Sequence, residues 1–95
     1  IAIPTFNSSL NKARVATDEA NLRAEYAETM VEYLDKLATG KTVTDNTVSE
    51  SVTMTGNSEA SVQIGGLTVE KWEVGDELVV TIDKDGAATI AKKTA

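Results

Sequence analysis

From Thr5 to Thr39 the apolar residues recur every three or four positions, and beyond Gly40 that spacing gives way to strict alternation. The first pattern belongs to an amphipathic helix and the second to half-buried strands. A helix of about 35 residues runs roughly 50 Å at about 1.5 Å per residue, whereas a compact chain of this length has a radius of gyration near 12 Å and a diameter of about 30 Å. One end of the helix is therefore expected to project beyond whatever packs on it.

The helical segment carries two apolar rows. Phe6, Leu10, Ala13, Ala16, Ala20, Ala24, Ala27, Val31, Leu34 and Ala38 form one stripe, and Val15, Leu22, Tyr26, Met30, Tyr33 and Leu37 form a second beside it. Arg14, Asp18, Asn21, Glu25, Glu28, Glu32 and Lys36 take the remaining face at about 100° per residue. The combined apolar arc is wider than one sheet covers, so part of it between Thr5 and Leu22 is expected to face something outside the domain. Alanine dominates the first part of the stripe, while Tyr26, Met30, Val31, Tyr33, Leu34 and Leu37 crowd its end. The C-terminal half is thus the expected anchor for a head, and the N-terminal end the part that projects. Glu19 with Arg23 and Glu32 with Lys36 have the spacing of favourable i,i+4 pairs, and Gly40 supplies a left-handed stop.

In the second half, Val48, Val52 and Met54 alternate with polar residues, as do Val62 and Ile64, then Leu78, Val80 and Ile82. Turns are expected at Gly56-Asn57-Ser58, Gly65-Gly66, Val74-Gly75-Asp76 and Asp83-Lys84-Asp85-Gly86, the last closing a hairpin onto Ala88 and Ile90. The reading is α+β: a helical spine over 5–39 packed by its C-terminal half on a four- to five-stranded antiparallel head over 41–95, in one domain and as a meander in sequence order. Tyr26, Met30, Val31, Leu34, Val52, Ile64, Val80, Ile82 and Ile90 are its expected core.

The chain contains neither cysteine nor histidine, which removes thiolate chemistry, the usual nucleophile and base pairs, and most zinc sites. Its net charge of -6 argues against a phosphate backbone as partner, so no nucleic acid is expected on this piece. Asp83-Lys84-Asp85-Gly86 alternates carboxylates like a calcium loop but lacks the following glutamate, and reads as a plain turn. Glu25, Glu28 and Glu32 read as a solvated or inter-subunit charge face, not an acid and base pair. No cofactor, metal or catalytic residue is expected.

The chain opens on Ile1-Ala2-Ile3-Pro4, with Phe6 two residues on, Lys12 and Arg14 beyond it, and an Ala-rich amphipathic helix. This start resembles the type IV pilin family and its pseudopilin relatives, cut inside the apolar N-terminal helix. Proline in the first turn is also common in ordinary helices. The resemblance implies a pilin-like headpiece whose upstream half would sit in the inner or cytoplasmic membrane before assembly. It makes Pro4 the point where the native helix bends, and Phe6, Leu10, Ala13, Ala16 and Ala20 subunit-packing positions. The implied partners are other pilin subunits and the pilus assembly machinery, and the implied location is an extracellular cell-surface pilus. Many Gram-negative members close a C-terminal loop with a disulfide that this cysteine-free chain cannot form, which points to a Gram-positive source or a pseudopilin. The leading expectation is a structural pilus subunit. A pseudopilin of a secretion or DNA-uptake system is the alternative, and an adhesin-like module using loops near Asn57, Gly65 and Trp72 is a reading of another class.

Overall fold

The computed structural model describes residues 3–38 and 48–93, with helix side chains from Ser9 onward. Helix α1 spans Ile3–Ala38, 36 residues. Pro4 sits in its first turn, where a missing N–H costs nothing, and Lys36 lies in the last turn, where a cation complements the helix dipole. The expected stop at Gly40 lies outside the described residues.

Five strands follow: β1 (Val48–Thr53), β2 (Val62–Ile64), β3 (Leu67–Val69), β4 (Glu77–Ile82) and β5 (Ala88–Lys92). All pairings are antiparallel, as expected, but the meander is not formed. β1 skips its sequence neighbour and pairs with β4, giving a three-stranded sheet ordered β1-β4-β5, while β2 and β3 make a separate hairpin. The register places Val48 opposite Ile82, Val52 opposite Leu78, and Val80 opposite Ile90. In β4, Leu78, Val80 and Ile82 all point inward to the helix side. The stretch between β1 and β2 is not a tight turn at Gly56 but a loop laid along the helix, and that excursion is why β2 cannot pair with β1.

Gly65 and Gly66 both have positive φ, 56° and 83°, so β2 and β3 are joined by the two-residue mirror-image turn that matches strand twist. At Asp83 the side-chain Oδ1 accepts hydrogen bonds from the N–H groups of Asp85 and Ala87, at 2.9 and 3.0 Å. That carboxylate closes the β4–β5 hairpin, the role of a plain turn.

Two adjoining clusters make the core. The larger contains Leu22, Met54, Ile64, Val69, Trp72, Leu78, Val80 and Ile90, with Val15, Tyr26, Val52, Val62 and Leu67 partly buried against it. The smaller joins Tyr33, Val48 and Ile82, with Met30 and Ala88 beside them. Ile64, Val80, Ile82 and Ile90 are therefore buried as expected, and Tyr26, Met30 and Val52 pack at the margin. Val31 and Leu34 are not core residues: they are 66% and 54% exposed. They lie on the alanine stripe, and the head covers the opposite side of the helix.

The head also reaches further along the helix than its C-terminal half. Its hydrogen bonds to helix side chains run from Asn11, which meets Asn57, to Tyr33, whose hydroxyl donates to the Lys84 carbonyl at 3.1 Å. The long helix still dominates the shape, which measures 61 × 24 × 18 Å with a radius of gyration of 15.6 Å.

Candidate functional site

What fixes the helix against the head is a polar clamp on its buried face. Asp18 is fully buried, and its carboxylate accepts from Thr55 N (2.9 Å to Oδ1), Thr55 Oγ1 (2.7 Å), Gly56 N (2.9 Å) and the Trp72 indole Nε1 (3.1 Å). Two turns further toward the N-terminus, Asn11 uses both ends of its amide, accepting from Asn57 N at 2.9 Å and donating to Asn57 O at 3.0 Å. Asn57 Oδ1 in turn accepts from Val74 N, and Ser58 Oγ accepts from Trp72 N. A helix residue thus organises two loops of the head at once. A buried carboxylate without a cation is tolerated because donors surround it on every side.

The loop comes so close at position 56 that a side chain there would crowd the helix. A Cβ there would lie 3.0 Å from both the Arg14 Cβ and the Val15 backbone nitrogen. Asp18 stood on the polar face in the sequence reading; it belongs to the buried one. The signal that could have found it is its spacing, since Asn11, Val15, Asp18, Leu22, Thr29 and Tyr33 follow one helical row. Thr29 is likewise buried, with its hydroxyl returned to the Glu25 carbonyl at 2.7 Å.

With that row taken by the head, the alanine stripe faces away from it. Ala13, Ala16, Ala20, Ala24, Ala27, Val31 and Leu34 are exposed, and Leu10 is 40% exposed. The stripe lies roughly 180° around the axis from Leu22 and Thr29 at about 100° per residue. Of the residues expected to pack subunits, Ala13, Ala16 and Ala20 lie together on this bare face, while Leu10 sits at its edge, in a surface pocket shared with Asn57, Glu59 and Val74 of the head. Pro4 and Phe6 belong to the helix by their backbone, and their side chains are outside the described residues. The bare face extends beyond the half in which it was expected, continuing through Val31 and Leu34 to the end of the helix.

Charge is divided along the helix. Arg14 and Lys12 stand near the start with no carboxylate of the chain in ion-pair contact among the described residues, while Glu28 and Glu32 are exposed further along. The Glu25 carboxyl is raised above its ordinary pKa, by partial burial first and then by the neighbouring charges of Glu28, Glu50 and Glu32. Arg23 pairs with Glu19 at 3.5 Å, the i,i+4 contact expected from the sequence.

The loops that an adhesin-like reading would use are engaged internally. Trp72 is 1% exposed with its indole N–H given to Asp18, and Tyr26 packs over Gly65. Among the described residues no group of three or more Cys, His, Asp or Glu converges as a metal site, and no helix is long and apolar enough to cross a membrane. No protein-family model matches the chain, and neither the curated proteins nor the solved structures contain a match to it.

Proposed function

We propose that this protein is a structural subunit that assembles through the exposed face of its long helix, as the subunit of an extracellular type IV pilus would. The observation that carries the reading is the helix with two apolar faces, of which the head covers one. A helix whose only task was to complete the head would present charged and polar residues on its far side. Here that side presents five alanines, Val31 and Leu34, with Leu10 at its edge.

Small side chains let neighbouring helices approach closely, and the two large ones at the far end supply apolar area. Burying on the order of 400 Å² per subunit at about 25 cal/mol/Å² gives roughly 10 kcal/mol before the entropy of association is subtracted. The head, held on the opposite side by the Asp18 clamp, would be displayed outward. The pilin resemblance at Ile1 to Phe6 agrees with this arrangement and supplies the more specific name.

The test is a set of charged substitutions at Ala13, Ala16 and Ala20 in the source cells, followed by electron microscopy of surface filaments. Each variant is expected to fold, because all three side chains are exposed, and to make no filaments. Filaments of normal length and number from all three would remove the assembly role. Short or absent fibres in the unsubstituted cells, with secretion or DNA uptake lost in the variants, would favour the pseudopilin form of the same architecture.

A further inference from the structure

We infer that the free edge of β1 is a pairing site for a second copy of this chain, in which the two β1 strands meet antiparallel across a two-fold axis and the three-stranded sheets join into one, with Glu25 and Glu50 of both copies at the seam as its gate. Met54 N donates to Asp76 O at 2.8 Å, and the β1–β4 register continues that phase through Val52 with Leu78 and Val48 with Ile82. Alternation therefore turns the N–H and C=O of Val48, Glu50 and Val52 toward β4, and those of Ser49, Ser51 and Thr53 away from it. These last three residues are exposed, and no hydrogen bond among the described residues uses their backbone groups. The other edge of the sheet is not equivalent, because the β2–β3 hairpin lies against β5.

The occupant is a second copy because the flank of α1 over this edge carries its own complement. Arg14 stands against the Gly56 loop that follows β1, and Glu25 is close enough to Glu50 of β1 to feel its charge. At about 100° per residue Arg14, Glu28 and Glu32 fall within about 40° of one another, so this flank has a cation toward one end and two carboxylates toward the other. A two-fold axis normal to the sheet reverses strand and helix together and sets each Arg14 beside Glu28 and Glu32 of the other copy. The strand agrees with the helix on where that axis passes. Arg14 and Glu32 have their midpoint at Arg23; with Asp18 level with Thr55 and Tyr33 packed on Val48, steps of about 1.5 Å per helical residue and about 3.3 Å per strand residue put that midpoint over Val52 and Thr53. Centred on Val52, the pairing sets Ser51 opposite Thr53, with their free N–H and C=O groups facing each other.

The same geometry collects four carboxylates at the seam. Glu50 points to the helix side of an edge strand, an arrangement that guards an open edge against pairing. Within one chain Glu25 is raised by partial burial and then by Glu28 and Glu32 of α1 and Glu50 of β1. Lys93, which borders the same surface as Glu50, is paired with Glu77 at 3.6 Å. A second copy doubles the negative charge and takes water from it, so the ionised seam opposes pairing and the protonated seam permits it. Association accordingly takes up protons, strengthens as pH falls through the raised value of Glu25 and weakens as pH rises. The bare alanine face is on the other side of the helix and stays open in the pair, so the inference does not rest on the filament reading.

Sedimentation equilibrium from about 10 to about 500 µM is expected to show the parent associating at least about tenfold more tightly at about pH 5.5 than at about pH 7.5. Glu25→Gln combined with Glu50→Gln should dimerise at the higher pH and lose the dependence. In that background Ser51→Pro, which removes only an N–H facing away from β4, should abolish the dimer, and Arg14→Glu should weaken it at least about tenfold. The chain has no cysteine, so register is read by introduced thiols: Ser51→Cys mixed with Thr53→Cys should cross-link faster than either alone. Urea unfolding of each variant checks that the monomer is intact, and the thiol pairs decide the case if Ser51→Pro does not fold. A glutamine variant that stays monomeric throughout the range, a dimer that survives Ser51→Pro, or thiols that cross-link no faster mixed than alone overturns the edge pairing. A parent that associates equally at both pH values overturns the gate. None of these results touches the filament test, and filaments lost or kept in the alanine variants do not touch this one.

Discussion

Asp18 shows how one side chain can decide which way a helix faces. Its carboxylate takes four donors, the Thr55 N–H and hydroxyl, the Gly56 N–H and the Trp72 indole N–H. Asp18→Asn would turn an amide N–H₂ toward the Gly56 N–H and the indole N–H, opposing donors with a donor. The expected cost is about 2–4 kcal/mol, measured by urea unfolding, and a loss under about 1 kcal/mol would mean the clamp is not what holds the loops. Glu25 works in the other sense. Its pKa is raised in the folded chain, so the native state binds the proton more tightly than the unfolded one, and its charge opposes folding at neutral pH. Glu25→Gln should therefore be more stable than the parent at pH 7. That advantage should shrink as pH falls through the raised value and vanish below the ordinary 4.5. A stability gap unchanged between pH 7 and pH 4 would contradict it.

At the level of elements, the helix rows and the strand alternation were legible from spacing alone, and so were the turns at Gly65-Gly66, Gly75 and Asp83-Gly86. Which helical row became core was not. Periodicity scores Val31 and Leu34 like Tyr33, because it counts apolar residues at each angle and not the polar anchors among them. Asn11, Asp18 and Thr29 lower the apparent hydrophobicity of the buried row, although each is satisfied there by a hydrogen bond. The consequence can be measured: Leu22→Ala should cost about 2–5 kcal/mol, as for a fully buried leucine, whereas Val31→Glu and Leu34→Lys should stay within about 0.5 kcal/mol of the parent. Equal losses at all three positions would place the core on both faces. Strand order was equally hidden, since the long loop that diverts β2 is fixed by contacts with α1. Gly65 ties that hairpin to the helix, for a Cβ there would lie 2.5 Å from the Tyr26 ring at a φ of 56°. Gly65→Ala is expected to lose about 1–3 kcal/mol through both effects, read from the shift of the urea midpoint.

For the whole molecule, the radius of gyration of 15.6 Å exceeds the roughly 12 Å of a compact chain this size, and the long axis of 61 Å exceeds its diameter of about 30 Å. Dilute small-angle scattering should return an elongated particle at low concentration, and a compact one would be inconsistent with a helix standing clear of the head. The sequence alone determined that there is a long helix, that a small antiparallel head follows it, and that the helix has more apolar surface than one head can cover. These follow from local periodicity and from length, quantities that need no partner. Tertiary structure alone decided which row the head takes, how far along the helix it reaches, and which strands pair. Those choices rest on contacts between distant residues, Asp18 with Thr55 and Trp72 above all, and a buried carboxylate looks the same in a sequence as a solvated one until its donors are in place.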